Sequence, residues 1–219
     1  MMRTFLKYAC AAAMLLVPGA FLETCWAQKW ELGVLAGGGF YSNATVTSPA
    51  GTGDVGFKSG PVFGGYVGSN LYRFLGGELR YEMRPADLKL KSGGTEVTFA
   101  GQAHAMHYDF LIHATPTGSR LRPYVSAGGG VKIYRGTGRE TATQPLSRLA
   151  LLTKTHEVKG LGSVGVGVKV QASRAFLFRI EVRDFITPFP RQVIAPAPGA
   201  KISGLLHDVV FMGGIAATF

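Results

Sequence analysis

The sequence has 219 residues, of which 31 are glycine, with an apolar fraction of 47% and a formal net charge of +10. This length fits one all-β domain or, less readily, two small domains. The glycines lack the three-residue repeat of collagen, and the apolar fraction is too high for a disordered chain, so both of those classes are excluded.

The first 27 residues have the three parts of a secretory signal. Two basic residues precede the apolar stretch 9–22, and Cys25 and Ala27 stand at the −3 and −1 positions of a cleavage site before Gln28. The apolar stretch is shorter than the roughly 20 residues of a membrane-spanning helix. We therefore predict that residues 1–27 are a cleavable signal.

Cleavage would also change the chemistry of the mature chain. Both cysteines, Cys10 and Cys25, lie in the predicted signal, which excludes disulfides, cysteine metal sites and cysteine nucleophiles. The signal contains two basic residues and one acidic residue, so its loss would leave a net charge of +9. An exported chain meets little nucleic acid, and we expect anionic lipid headgroups or lipopolysaccharide as the counterparts of this charge.

Eight glycine-rich segments with apolar residues at every second position follow, and this period is typical of strands. In chain order they are Trp30 to Tyr41, Pro61 to Ser69, Leu75 to Met83, Val97 to Ala114, Tyr124 to Tyr134, Gly160 to Val170, Phe176 to Phe185 and Leu205 to Phe219. The fourth is overlong, and its alternation drifts near Gly101, which indicates a β-bulge.

Long and short connections between these segments alternate strictly. The long loops are 43–60, 84–96, 135–159 and 186–204, and the short turns are Asn70–Phe74, Thr115–Arg122 and Gln171–Ala175. This pattern is typical of an up-and-down barrel with one rim at the cell exterior and the other in the periplasm. Apolar residues at near-helical spacing also predict a short rim helix over 145–152.

A secreted, lipocalin-like barrel would show the same alternation, with its apolar face inside. Two features favour a membrane barrel instead. The charged faces carry balanced Glu and Arg mixed with glycines, as a crowded lumen requires. Aromatic residues stand where membrane belts are expected: Tyr72, Phe74, Tyr81, Tyr108, Phe176 and Phe211.

Three stretches resemble the small outer-membrane β-barrel superfamily of the OmpA/OmpX or OmpW type. They are RPYVSAGGGVKIY at 122–134, GVGVKVQASRAFLFRIEVRDF at 165–185 and HDVVFMGGIAATF at 207–219. The resemblance implies an all-β fold, an eight-stranded antiparallel up-and-down transmembrane β-barrel over residues 28–219, in the outer membrane of a Gram-negative-type cell and without a periplasmic domain.

The end of the chain matches a further feature of that superfamily. The resemblance implies that Phe211, Ile215 and Phe219, at alternate outward positions, are a signal read by the barrel-assembly machinery. The substitution Phe219→Ala is then expected to impair assembly more than it alters the finished barrel.

The charged faces of the third and seventh segments are the main candidate site. In an eight-stranded barrel these segments lie opposite each other, and Glu78, Arg80 and Glu82 reach about the heights of Arg179, Glu181 and Arg183. Because such a lumen is only wide enough for side chains and unpaired charges there are costly, we expect ion pairs across the axis. They would form a structural plug or, as the resemblance suggests, a gate that exchanges partners.

Other polar residues are weaker candidates for a chemical site. His107, Asp109 and Ser126 on neighbouring strands invite a hydrolase hypothesis, but the chain has no Gly-x-Ser-x-Gly elbow. Because His104 and His107 are three positions apart on a strand, their side chains face opposite sides, which argues against a metal site. We predict no catalytic residue, cofactor or metal.

The third long loop has a basic surface. Its basic residues are Arg139, Arg148, Lys154 and Lys159, and they suit lipopolysaccharide phosphates or a host ligand. We predict a monomeric, non-enzymatic outer-membrane protein with a structural or surface-interaction role. The alternatives are a narrow channel for small or hydrophobic solutes and a lipid-modifying enzyme.

Overall fold

The computed structural model describes residues 30–70, 72–141 and 143–219. The predicted signal, residues 1–27, lies outside the described residues. No helix in the described ranges is long and apolar enough to cross a membrane.

Fifteen strands form within the described residues. In chain order they are β1 (Trp30–Tyr41), β2 (Ala44–Ser48), β3 (Gly51–Phe57), β4 (Gly60–Ser69), β5 (Leu75–Pro85), β6 (Leu88–Ser92), β7 (Thr95–Phe99), β8 (Gly101–His113), β9 (Leu121–Gly136), β10 (Ala150–Leu152), β11 (His156–Gln171), β12 (Phe176–Pro188), β13 (Ile194–Pro196), β14 (Lys201–Ser203) and β15 (Leu205–Thr218).

Eight of these strands close into an antiparallel barrel. Their order around the wall is β1, β15, β12, β11, β9, β8, β5 and β4. The closing strand β15 pairs with β1 from Glu31 opposite Thr218 to Tyr41 opposite Asp208, and β4 pairs with the other side of β1. The predicted fold class, an eight-stranded up-and-down barrel, is confirmed, and each of its eight strands overlaps one of the eight predicted segments.

The barrel wall is apolar outside and charged inside. Because successive side chains of a strand point to opposite faces, β12 exposes more than half of Phe176, Phe178 and Ile180, whereas Arg179 and Glu181 are 2% exposed. The lipocalin-like alternative, which needs an apolar interior, is thereby excluded.

Inward glycines make room for the large side chains of the interior. A Cβ added at Gly33 would lie 2.3 Å from a ring carbon of Tyr66, and one at Gly167 would lie 2.4 Å from the Tyr124 hydroxyl. A barrel of eight strands has little internal space. The high glycine content therefore follows from packing bulky polar groups into a narrow lumen.

The four long connections are folded, which corrects the prediction that they are loops. The hairpins β2–β3 and β6–β7 join β14 in a five-stranded sheet of order β14, β2, β3, β6, β7, and β10 pairs with β13. These two sheets and their connections, residues 42–59, 86–100, 137–155 and 189–204, are called the cap. The cap covers the barrel mouth opposite the three short turns.

Two local predictions in this region are wrong. The drift near Gly101 is not a bulge, because the segment breaks at Ala100 into the cap strand β7 and the barrel strand β8. Residues 145–149 form turns rather than the start of a helix, and β10 follows them. Leu146 has a φ of 60°, a left-handed conformation that a right-handed helix cannot contain.

The cap has an apolar core of the kind found in water-soluble domains. Its side chains are no more than 1% exposed at Val46, Val55, Leu88, Leu90, Leu149, Leu152, Val193 and Ile194. Where the cap meets the barrel, the ring of Phe57 lies 5.0 Å from those of Tyr41 and Tyr134. The barrel mouth is therefore covered by packed aromatic and aliphatic side chains.

Candidate functional site

The barrel interior contains a dense set of ion pairs. Six carboxylates and six Lys or Arg side chains, each no more than 3% exposed, make up what we call the lumen network: Glu31, Glu78, Glu82, Asp109, Glu181, Asp208, Arg80, Arg84, Lys132, Lys169, Arg179 and Arg183. Their formal charges balance. Nine of them are joined through direct ion pairs, and Arg84, Lys132 and Asp208 form a separate group beneath the cap.

The level nearest the short turns is centred on Lys169. Its Nζ lies 2.7 Å from Glu31 Oε2 and 2.9 Å from Glu78 Oε1. The Asn70 side-chain amide donates a hydrogen bond of 2.6 Å to the other oxygen of Glu31. Arg122 in turn donates to the side-chain oxygen Oδ1 of Asn70 at 3.0 Å. Lys169 thus joins the turn-side rim to the middle of the lumen.

The middle level brings together four of the predicted residues. Arg80 contacts Glu181 across the axis at 2.5 and 3.0 Å, and Arg179 lies 2.9 Å from Glu78. Arg179 also donates through Nε to the Tyr124 hydroxyl at 2.9 Å, and that hydroxyl donates to Glu181 at 2.6 Å. Glu78 is shared between two guanidinium groups and Glu181 between three, so removing one partner leaves excess charge that has no water to solvate it.

The third level is not paired as the sequence analysis expected. Glu82 contacts Arg80 at 3.0 Å rather than Arg183. Arg183 pairs with Asp109 and with the Ser163 hydroxyl, both at 2.6 Å. The difference arises because β8 and β11 also supply inward polar groups at this height, and Asp109 captures the guanidinium.

The group beneath the cap was missed by the sequence analysis. Asp208 contacts both Arg84 and Lys132, and Arg84 donates to the Gly39 carbonyl at 2.8 Å. Arg84, Lys132 and Asp208 each stand at an inward-facing position of their strand, and this alternation is the sequence feature that could have placed them in the lumen. Their pairing could not be found because Asp208 and Arg84 are 124 positions apart and the sequence pattern places Arg84 in a long loop, 84–96, rather than on a wall strand.

Little free space remains around this group inside the barrel. A cavity lined by Glu82, Arg84, Lys132, Phe185 and Asp208, among others, has a volume of about 10 Å³. That is near the minimum for one water molecule. The lumen network and the cap core therefore close the barrel at two successive levels.

The hydrolase candidates lie in the same network. His107 Nδ1 is 3.1 Å from Asp109 Oδ2, but Asp109 is also held by Arg183. Among the described contacts, no hydrogen bond joins Ser126 to either residue. His104 faces outward, with its Nδ1 2.8 Å from the Tyr81 hydroxyl. The pair His107 and Asp109 thus serves the ion-pair network, and all three hydrolase candidates are buried.

The other predicted residues lie on the surface. Arg139, Arg148 and Lys154 are exposed on the cap, and Lys159 is paired with Glu157 at 2.6 Å. Phe211 and Ile215 on β15, and Phe219 directly after it, are about half exposed on the outer surface. The backbone of Phe219 exchanges hydrogen bonds of 3.0 and 3.1 Å with Trp30 at the turn-side rim.

The fold has solved counterparts. The outer membrane protein OprG of Pseudomonas aeruginosa superposes with a TM-score of 0.54 at 13% identity, over 88% of this chain and 97% of that chain. Neisserial surface protein A superposes with a TM-score of 0.52 at 11% identity, over 88% of this chain and 99% of that one. No protein-family model and no curated protein matches the sequence.

The chain therefore has the fold of the small outer-membrane β-barrels, as the resemblance of its strands implied. Its particular form is an eight-stranded barrel with a charged, ion-paired lumen and a folded cap over one mouth.

Proposed function

We propose that this protein is a non-conducting, non-enzymatic integral barrel of the outer membrane that holds a rigid cap at the cell surface. The double closure of the lumen carries the proposal. Charged side chains that are at most 3% exposed fill the barrel, and an apolar core lies over them. A solute path would have to disrupt both layers, and separating the buried ion pairs alone is costly.

Membrane placement is supported by the outer wall. Exposed Phe, Ile, Val and Leu side chains cover the barrel strands, and such a surface is stable only against hydrocarbon or another apolar surface. Because the short turns of outer-membrane barrels face the periplasm, the cap would face the exterior.

We also propose that Phe211, Ile215 and Phe219 serve as the assembly signal. Folded yield in cells, compared for Phe219→Ala and Phe178→Ala, tests this and should fall mainly for Phe219→Ala.

The cap would meet lipopolysaccharide through its charge. The cap, residues 42–59, 86–100, 137–155 and 189–204, contains eight Lys and Arg against four Asp and Glu. Phosphates at the surface of the outer leaflet are suitable counterparts. The triple variant Arg139→Gln, Arg148→Gln, Lys154→Gln should bind lipopolysaccharide vesicles more weakly than the native protein. Unchanged binding would contradict this role of the cap.

Conductance in planar bilayers tests the closed lumen. The native protein should leave the conductance at that of the bare bilayer, and Arg80→Ala and Glu181→Ala should also stay closed because the cap remains. A gate would instead show bursts of current whose open times change in these two variants. Steady current, with swelling of vesicles in small sugars, would identify a narrow channel and contradict the proposal.

A further inference from the structure

The rim opposite the cap has an unusual distribution of charge. Each of its three short turns contains one arginine that is exposed at the surface: Arg73 between β4 and β5, Arg120 between β8 and β9, and Arg174 between β11 and β12. The turn sequences 70–74, 115–120 and 171–175 contain neither Asp nor Glu. The cap, by comparison, mixes both signs. This rim is therefore a ring of three positive charges.

The backbone positions of these arginines are set by neighbouring elements. The Arg73 carbonyl accepts a hydrogen bond from Thr117 N, and the Arg120 carbonyl accepts one from Gln171 N, both at 2.8 Å. The Arg174 carbonyl accepts one from the Thr218 hydroxyl, also at 2.8 Å. Each turn is thus tied to the next hairpin or strand, and the three arginines have fixed places around the rim.

Aromatic side chains surround this ring. The exposed ones at this end of the barrel are Trp30, Tyr72, Phe74, Phe176 and Phe219. Aromatic side chains of membrane barrels form girdles at the level of the lipid headgroups. The Arg73 guanidinium lies 5.4 Å from the centre of the Phe74 ring, which places the charge directly beside the aromatic belt.

We propose that Arg73, Arg120 and Arg174 form a binding ring for the phosphates of anionic phospholipids in the leaflet that contacts the short turns. Guanidinium groups bind phosphate through paired hydrogen bonds, and the aromatic belt holds them at headgroup height. Three charges spaced around the barrel, with no acid in the turns, select anionic over zwitterionic lipids. This inference rests on the proposed membrane placement but not on the closed lumen.

The chain offers its own probe for this ring. Trp30 is the only tryptophan of residues 28–219, and it lies at the same rim, on β1 between β4 and β15. Its neighbours along the rim are the hairpin of Arg73 and the hairpin of Arg174. Quenching of Trp30 fluorescence by brominated lipids therefore reports which lipids gather beside these two arginines.

The experiment compares brominated phosphatidylglycerol with brominated phosphatidylcholine in vesicles that contain the purified protein. The native protein should prefer phosphatidylglycerol, by roughly fivefold for each arginine near the probe, and high salt should reduce the preference. Arg73→Gln, Arg120→Gln, Arg174→Gln together should abolish it. The glutamines retain the backbone carbonyls that tie the rim together.

The matched control removes three charges from the other end of the barrel. Arg139→Gln, Arg148→Gln, Lys154→Gln should keep the native lipid preference. Should the rim triple variant not fold, the single variants Arg73→Gln and Arg174→Gln should each lower the preference more than Arg120→Gln, which lies farther from Trp30 around the rim.

The experiment distinguishes failure of the binding ring from failure of the membrane placement. Insertion is judged by faster migration of the unheated than of the boiled protein on a denaturing gel. If the inserted native protein shows no lipid preference, or if the inserted rim triple variant keeps the preference, the binding ring is overturned. A protein that never shows the heat shift would overturn the membrane placement itself.

Discussion

The barrel and the cap bury opposite kinds of residue in one chain. In the barrel, charged groups such as Arg80 and Glu181 are almost fully buried while Phe178 is 54% exposed. In the cap, Leu88 and Val46 are fully buried and polar residues face outward. The difference shows that the surroundings decide the pattern, since hydrocarbon outside the wall leaves the polar groups no place but the lumen, whereas water around the cap drives its apolar groups inward.

The largest expected effect comes from breaking one ion pair in the barrel. Arg80→Met leaves Glu181 and Glu82 without their shared guanidinium, and we expect a loss of about 3–5 kcal/mol in the free energy of unfolding. Reversible urea unfolding in lipid vesicles measures it. The double variant Arg80→Met, Glu181→Gln should recover part of the loss, and a double variant no more stable than Arg80→Met alone would contradict the pairing.

A comparable local loss is expected in the cap core. Phe57→Ala removes the ring that packs on Tyr41 and Tyr134, and truncation of a buried Phe costs about 3–5 kcal/mol. Because that core belongs to the cap, limited proteolysis should cut 42–59 and 86–100 faster. The barrel should keep its heat-dependent gel shift. Loss of both properties together would mean that the cap and the barrel are one cooperative unit.

Adding a methyl group at a glycine that faces the lumen should lower the free energy of unfolding by a smaller amount. Gly33→Ala forces the Tyr66 ring away from its place 4.5 Å from the Arg179 guanidinium, and overpacking of this kind costs about 1–3 kcal/mol. Gly160→Ala is the control, because a Cβ there meets no atom within 4 Å. Urea unfolding should separate the two variants, and equal stabilities would show that the lumen is looser than this packing implies.

The smallest effect should come from an exposed pair on the cap. Lys58 and Glu96 lie 3.9 Å apart with side chains 44% and 42% exposed. Pairs of this kind contribute at most about 1 kcal/mol, so Glu96→Gln should shift the urea midpoint very little. A loss as large as that of Arg80→Met would remove the contrast between buried and exposed pairs.

Strand parity explains why the barrel was predictable. The period-two pattern identified all eight wall strands and the pairs Arg80–Glu181 and Glu78–Arg179, because charged faces on strands four apart must meet across the axis. The partner of Arg183 was wrongly expected to be Glu82, since parity does not say which of several inward groups at one height is nearest.

The cap was not predictable by the same argument. Its strands have three to seven residues, too few for a clear period, and its hairpins join strands that are distant in the sequence, as β14 pairs with β2 and β3 with β6. In the stretch 145–152, the spacing of apolar residues along the sequence resembles that of a helix. Its Leu149 and Leu152 are buried instead by the tertiary packing of the cap core, which overrides the local pattern.

Thiol labelling of the lumen tests the central claim, that the barrel is closed to water-borne solutes. Residues 28–219 contain no cysteine, so Ser126→Cys in the lumen, where the serine is 6% exposed, can be compared with Thr98→Cys on the exposed cap surface. A charged, membrane-impermeant thiol reagent should label Thr98→Cys quickly and leave Ser126→Cys unlabelled until the protein is denatured. Labelling of both at similar rates in the folded barrel would contradict a closed lumen.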